Sequence, residues 1–271
     1  MTLVDHQGIR IAFEESGSGL PVVLGHSFLY SGKMWREQVP VLAEHYRVIN
    51  PDLRGHGRSG RLAARFSLYD AVDDVIAVLD ALGIERAVWC GLSIGGMVAL
   101  RAALSHPERV AGLILMDTDA GSETPLHRLK YRAMGAAVRA FGFRPLLPSI
   151  AKLMFGATTR RGHPTLVDAG KAQFARNHVP SALLCLDALI RRDSVLDRLH
   201  EIRVPALVLV GEEDRSLPVA LSRRMHDRLP RSTFEVIPGA GHLTALEQPA
   251  RVNQAIIGFL AGAVAPAGPL A

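Results

Sequence analysis

Residues 90–96 read CGLSIGG, Cys90 to Gly96, and the way the chain turns there decides the fold. The run before it, RAVWCG (86–91), is short, apolar and suited to a buried strand. The run after it, IGGMVALRAALSHP (94–107), spaces its apolar residues as a helix does and stops at Pro107. A strand must therefore become a helix within Gly91-x-Ser93-x-Gly95. So sharp a turn sets the serine at its apex in a strained conformation, and glycines at 91 and 95 remove side chains where strand and helix crowd. The amide of Ile94 opens the helix, where unpaired N–H groups and the dipole favour a developing negative oxygen. The bare pattern is common by chance. Between strand and helix it describes a nucleophile, with a plain turn serine as the alternative.

Outward from this elbow, short apolar runs alternate with helical patterns. RIAFEE (10–15) alternates like a half-buried strand, and PVVLG (21–25), YRVIN (46–50) and RVAGLILMD (109–117) read as further strands. MWREQVPVLAEH (34–45) reads as a helix, and so does SLYDAVDDVIAVLDALGI (67–84), which ends at Gly83. Such alternation implies an α/β fold with a mainly parallel sheet flanked by helices. Between about 121 and 200 the rhythm breaks into helical patterns punctuated by Pro125, Pro145, Pro148, Pro164 and Pro180. It resumes with VPALVLVGEED (204–214), a helix over 218–229, the strand and loop STFEVIPGAGH (232–242) and a closing helix over 248–262. The expected organisation is a core of residues 1–120 and 201–262, a helical cap insertion over 121–200, and a small, Pro-rich tail at 263–271 that frays.

Composition narrows the function. With 48% hydrophobic and 21% charged residues among 271, the chain has ample material for a core. It has no apolar run long enough to span a bilayer, and its start, MTLVDHQGIR, has no signal-like apolar stretch. Cys90 and Cys185 stand alone, without C-x-x-C spacing, so a cytoplasmic setting without disulfides is expected. The net charge of +5 is uneven: residues 122–204 hold 14 Lys and Arg against 6 acids, the remainder 17 against 20. The arginines are scattered at helical spacings and no zinc-finger or RNA-binding motif is present, which argues against nucleic acid. They read as solvated helix faces, or as an attraction for an anionic substrate.

A serine nucleophile needs a base, and 11 histidines compete. His242 lies in PGAGHLTALEQP, a Gly-rich loop leaving the last strand, where a ring can swing towards the elbow. Asp214 ends the preceding strand and is placed to orient that ring, with Asp117 as the substitute acid and Glu212 and Glu213 as solvated neighbours. His56, in the tight RGHGRSG turn, reads as structural.

These stretches, GHSF…MW, PDLRGHGRSG, GLSIGGMVAL, HPERVAGLILMD, VPALVLVGEED and PGAGHLTALEQP, stand in one order across residues 9–262. In that order the chain resembles the α/β-hydrolase superfamily, and within it the small bacterial esterases and 3-oxoadipate enol-lactonases. The resemblance implies Ser93 as nucleophile, His242 as base then acid, and Asp214 as orienter; with no H-E-x-x-H, clustered Cys/His or P-loop in the sequence, no cofactor or metal is expected. It also implies an oxyanion hole from the amides of Ile94 and Phe28, the latter by aligning His26-Ser27-Phe28 on the family's His-Gly-x ahead of Trp35. Ser27 departs from that glycine. If its φ is positive it is strained; otherwise it adds a hydroxyl to the site, or merely packs.

A serine at 93 in place of aspartate points to an acyl-enzyme rather than an alkyl–enzyme ester. Met134, Phe141, Phe143, Leu147, Met154 and Phe155 could line an apolar substrate pocket, or simply pack helices. The insertion has no Trp, an aromatic expected of the enol-lactonases. The expected activity is hydrolysis of a small-molecule carboxylic ester or lactone. C–C bond hydrolysis, cofactor-free perhydrolysis and a non-catalytic receptor on the same fold are the alternatives.

Overall fold

A computed structural model describes residues 2–263, so the expected frayed tail lies outside the described residues from 264 onward. Eight strands, β1 (Thr2–His6), β2 (Ile9–Ser16), β3 (Pro21–Gly25), β4 (Arg47–Pro51), β5 (Ala87–Leu92), β6 (Val110–Met116), β7 (Ala206–Gly211) and β8 (Ser232–Ile237), form one sheet. Their order is β1-β2-β4-β3-β5-β6-β7-β8. From β4 to β8 every neighbour is parallel, while β1 and β2 run antiparallel at one edge.

β1 is the one strand that sequence patterning misses. It is an edge strand with little burial, so it has no alternation to show. Its signal is the turn that follows: His6 pairs with Ile9 across Gln7 and Gly8, whose φ values of 48° and 77° make the twisted two-residue hairpin that a Gly favours. The helix expected over 34–45 also breaks in two. A short 3-10 turn covers Gly32–Trp35, and α1 is reduced to Val39–Leu42 because Pro40 has no amide to continue the first into the second.

The central strands bury both faces, and alternate residues separate them. Trp89, Leu113, Leu115 and Val208 face a core shared with α2 (Leu68–Ala81) and α3 (Ile94–Ser105). Val88, Cys90, Ile114, Leu207 and Leu209 face the opposite core, closed by the last helix among the described residues. α2 begins at a capping box in which the Ser67 amide donates to Asp70 Oδ2 at 2.6 Å, and it ends before Gly83 at φ 64°.

Between β6 and β7 the chain forms α4 (Pro125–Phe141), α5 (Leu147–Met154), α6 (Ala157–Gly162), α7 (Pro164–Ala175) and α8 (Val179–Arg191). Pro125, Pro148, Pro164 and Pro180 each sit in a helix's first turn, where the missing N–H costs nothing. After β7 come α9 (Val219–His226), then β8, α10 (Thr244–Glu247) and α11 (Pro249–Ala263). The parallel registers Gly25↔Gly91, Leu92↔Met116 and Gly211↔Ile237 align the carboxyl ends of these strands. Every loop that carries a candidate site residue leaves from that edge.

Candidate active site

Ser93 links β5 to α3 with φ 56° and ψ −115°, a conformation that costs an L-residue and persists because its neighbours hold it. Its amide donates to the Met116 carbonyl at 2.8 Å, and its own carbonyl accepts from Thr118 Oγ1 at 2.7 Å. A Cβ on Gly91 would fall 2.2 Å from the Gly95 carbonyl carbon, so the crowding inferred from the sequence is real. Ile94 is the first residue of α3, and its amide is one of the four that such a terminus leaves without helical partners.

His242 leaves β8 on a loop and lies buried beside Asp214. Its Nδ1–H donates to Asp214 Oδ2 at 2.8 Å, which fixes the tautomer and frees Nε2. Asp214 is held in turn: its Oδ1 accepts from the amides of Ser216 at 2.8 Å and Leu217 at 2.9 Å. Burial pushes the His242 pKa down, but Asp214, with smaller help from Asp117 and Glu247, outweighs it and leaves the ring above its usual value. Ser93 and His242 line one cavity of about 100 Å³.

Asp117 is fully buried 94 residues before Gly211 in the chain, and its carboxylate is otherwise engaged. Oδ1 accepts from the Gly211 amide at 2.8 Å, and Oδ2 pairs with Thr244 Oγ1. Burial, then the nearby Asp214, raise its pKa well above the usual carboxylate range. It supports the β6 and β7 ends, and Asp214 holds the ring.

The loop after β3 carries Ser27 and Phe28 into the cavity wall. His26 pins it: Nδ1–H donates to the Ser27 carbonyl at 2.8 Å and Nε2 accepts from the Leu53 amide at 2.8 Å. Both roles require a neutral ring, in keeping with a pKa lowered by burial. Among the described non-glycine residues, positive φ occurs at Gln7, Leu29, Ser93 and Asp117, so the strain that a serine could have suffered falls two residues on, at Leu29. The Ser27 amide donates to Met34 Sδ at 3.1 Å, while its hydroxyl is buried without a partner. His56 sits behind the loop, its ring centroid 5.0 Å from that of His26 and 5.9 Å from that of Phe28.

Of the pocket residues expected, Met134, Phe143 and Met154 line the cavity with Ser27. Phe141 is a correction: it is 74% exposed at the end of α4, turned away from the core. Phe155 is another, since it packs beneath α7 with its ring centroid 6.4 Å from that of Phe174. Leu147 packs against the second core rather than the cavity. Glu213, at the solvated surface as expected, also accepts from the Thr158 amide at 2.8 Å and hydroxyl at 2.6 Å at the start of α6. Sequence reasoning overlooked Glu247, whose Oε2 accepts from the Gly156 amide at 2.8 Å and ties the insertion to the His242 loop. It also overlooked Glu123, Tyr131 and Arg192 in the cavity wall. A charged pair on opposite sides of an 80-residue insertion leaves no local pattern.

A strained serine before a helix, a buried His–Asp pair and a sheet with this strand order together define a hydrolase architecture. The chain belongs to the alpha/beta hydrolase fold family, whose match spans residues 21–249. It is 33% identical to a 2-hydroxymuconate semialdehyde hydrolase of Pseudomonas sp. (strain CF600), over 96% of this chain and 93% of that one. It is 30% identical to 3-oxoadipate enol-lactonase 2 of Acinetobacter baylyi, over 82% of each. Among solved structures, a malate-bound thermophilic esterase from Thermogutta terrifontis superimposes with a TM-score of 0.91 at 34% identity, covering 97% of this chain and 98% of that one. Among the described residues, no helix is long and apolar enough to cross a membrane.

Proposed function

We propose that the protein is a serine hydrolase acting on a small carboxylic ester or lactone, with Ser93, His242 and Asp214 as its catalytic triad. The observation that carries this reading is the His242–Asp214 bond of 2.8 Å in the wall of the cavity that the strained Ser93 enters. The esterase and enol-lactonase likenesses support it.

In this mechanism His242 Nε2 takes the Ser93 hydroxyl proton as Oγ bonds to the ester carbonyl carbon. The oxyanion forms between the amides of Phe28 and Ile94, and Asp214 stabilises the imidazolium. His242 then gives its proton to the departing alkoxide as the C–O bond breaks, which leaves an acyl-Ser93. A water deprotonated by His242 attacks that ester, and collapse of the second tetrahedral species returns the proton to Ser93 and frees the acid. Residues 121–200 serve as a cap in this reading, supported by Met134, Phe143 and Met154 lining the cavity with Ser93.

Turnover of 4-nitrophenyl acetate and butyrate by the wild type and by Ser93→Ala tests the proposal. A loss of about 10⁴-fold or more in kcat is expected. Equal rates for the two proteins would remove Ser93 from the chemistry.

A further inference from the structure

The 14 lysines and arginines between Ser122 and Val204 raise the prospect of an anion-seeking site, yet Arg192 alone among them lines the cavity beside Ser93 and His242. Its side chain is 2% exposed and already held on several sides. Nε donates to the Gly121 carbonyl at 2.9 Å, and Nη1 donates to the Leu189 carbonyl at 2.9 Å and to Glu123 Oε1 at 2.7 Å. Nη2 faces Asp119 Oδ2 at 3.5 Å, and Asp119 Oδ1 accepts from Arg224 Nη2 at 3.1 Å. Glu123, the other charged group at this end of the cavity, also has the exposed His127 ring 3.5 Å away.

The cluster thus joins two guanidinium groups to two carboxylates, and its formal charge cancels without any ligand. A substrate carboxylate reaching for Arg192 would meet Glu123 on the same Nη1. Binding would require either two like charges side by side or a largely buried Glu123, its side chain 10% exposed, stripped of its partner, and each is costly. Met134, Val138, Leu153 and Leu186 line the same cavity with apolar surface. A neutral chain loses nothing there.

The geometry points to the Glu123–Arg192 pair as the charge filter of the site, which admits esters with neutral, apolar acyl and alcohol parts and rejects those that carry a carboxylate. This rests on the serine-hydrolase reading above. It also assigns Glu123 a specificity role: with its charge removed and its shape kept, the Arg192 guanidinium loses the carboxylate that cancels it and can attract an anion.

The test compares 4-nitrophenyl butyrate with 4-nitrophenyl hydrogen succinate, which differ by a methyl against a carboxylate, in wild type, Glu123→Gln and the Glu123→Gln/Arg192→Gln double variant. The wild type is expected to favour butyrate in kcat/KM by at least 100-fold, Glu123→Gln to narrow that ratio at least tenfold, and the double variant to restore it. A wild type that treats the two esters within threefold, or prefers the succinate, overturns the inference. So does a ratio that Glu123→Gln leaves unchanged, which is what a purely structural pair would give. Calorimetric binding of methyl butyrate and monomethyl succinate to Ser93→Ala reads the same preference without turnover. A neutral preference there, with no turnover by the wild type, would sink the serine-hydrolase reading and keep the filter; tighter binding of the succinate would sink the filter whatever the rates. The wild-type ratio and this binding comparison stand even if Glu123→Gln does not fold.

Discussion

Gly95, on the first turn of α3, lies so close to Gly25 at the end of β3 that a Cβ on it would sit 2.1 Å from the Gly25 carbonyl oxygen. Here the constraint is contact rather than a left-handed backbone, and the atom in the way is main chain, which has no rotamer by which to retreat. Gly95→Ala must therefore push α3 off the sheet and drag Ser93 with it. A loss of about 3 kcal/mol or more in urea unfolding, or failure to accumulate as folded protein, is expected. A variant with the wild-type midpoint would show that the elbow can open without cost.

The two buried aspartates near His242 differ in what their charge does. Asp214 accepts the ring N–H, so Asp214→Asn presents an amide that favours the wrong tautomer, and kcat/KM should fall about 10⁴-fold. Asp117 does not touch the ring: its Oδ1 accepts from the Gly211 amide and its Oδ2 pairs with Thr244 Oγ1, contacts that an asparagine can keep. Asp117→Asn should keep kcat/KM within about tenfold of wild type. If the two variants exchanged these effects on 4-nitrophenyl butyrate, the orienting acid would be Asp117.

His56 offers a stability signature. Burial first, and the neighbouring His26 second, push its pKa from 6.5 down to about 3. The folded state then keeps the ring neutral while the unfolded chain takes up a proton below pH 6.5, so folding loses stability as the pH falls from 6.5 towards 3. One such group contributes a slope of about 1.4 kcal/mol per pH unit in that window. Unfolding free energies measured between pH 7 and pH 4.5 should fall accordingly. His56→Asn should remove about one proton's worth of the slope, and an unchanged slope would place the acid sensitivity elsewhere.

What could be read from the chain before its structure followed the range of the interactions. The strands β3, β5, β6 and β7 announce themselves because both of their faces are buried, so their apolar runs are continuous. The elbow announces itself because close backbone approach demands glycine at 91 and 95. β1 stayed silent because one exposed edge strand needs no pattern, and the helix over 34–45 misled because apolar spacing says nothing of the amide missing at Pro40. In the insertion, Met134 and Phe141 look alike in sequence, seven residues apart on one helix. They share a face, yet Met134 lines the cavity while Phe141, the last residue of α4, is exposed. Ion pairs such as Arg192–Glu123 join residues 69 apart, and no local reading pairs them.

The last test concerns the base itself. In the proposed mechanism His242 is neutral when it accepts the Ser93 proton, so activity requires a pH above the ring's pKa in the free enzyme. Burial alone would lower that pKa and extend activity into acid. Asp214, Asp117 and Glu247 together reverse the direction, and the ring titrates above 6.5. The acid limb of kcat/KM should therefore have its midpoint above pH 6.5, with the rate dropping tenfold per unit well below it. Glu247→Gln removes one raising charge and keeps an oxygen for only one of the two amides, Gly156 and Leu243, that the two carboxylate oxygens accept from. It should shift the midpoint of the acid limb to lower pH. A midpoint below 6.5 in the wild type would mean that desolvation dominates at His242, and a flat profile between pH 5 and 8 would remove it as the base.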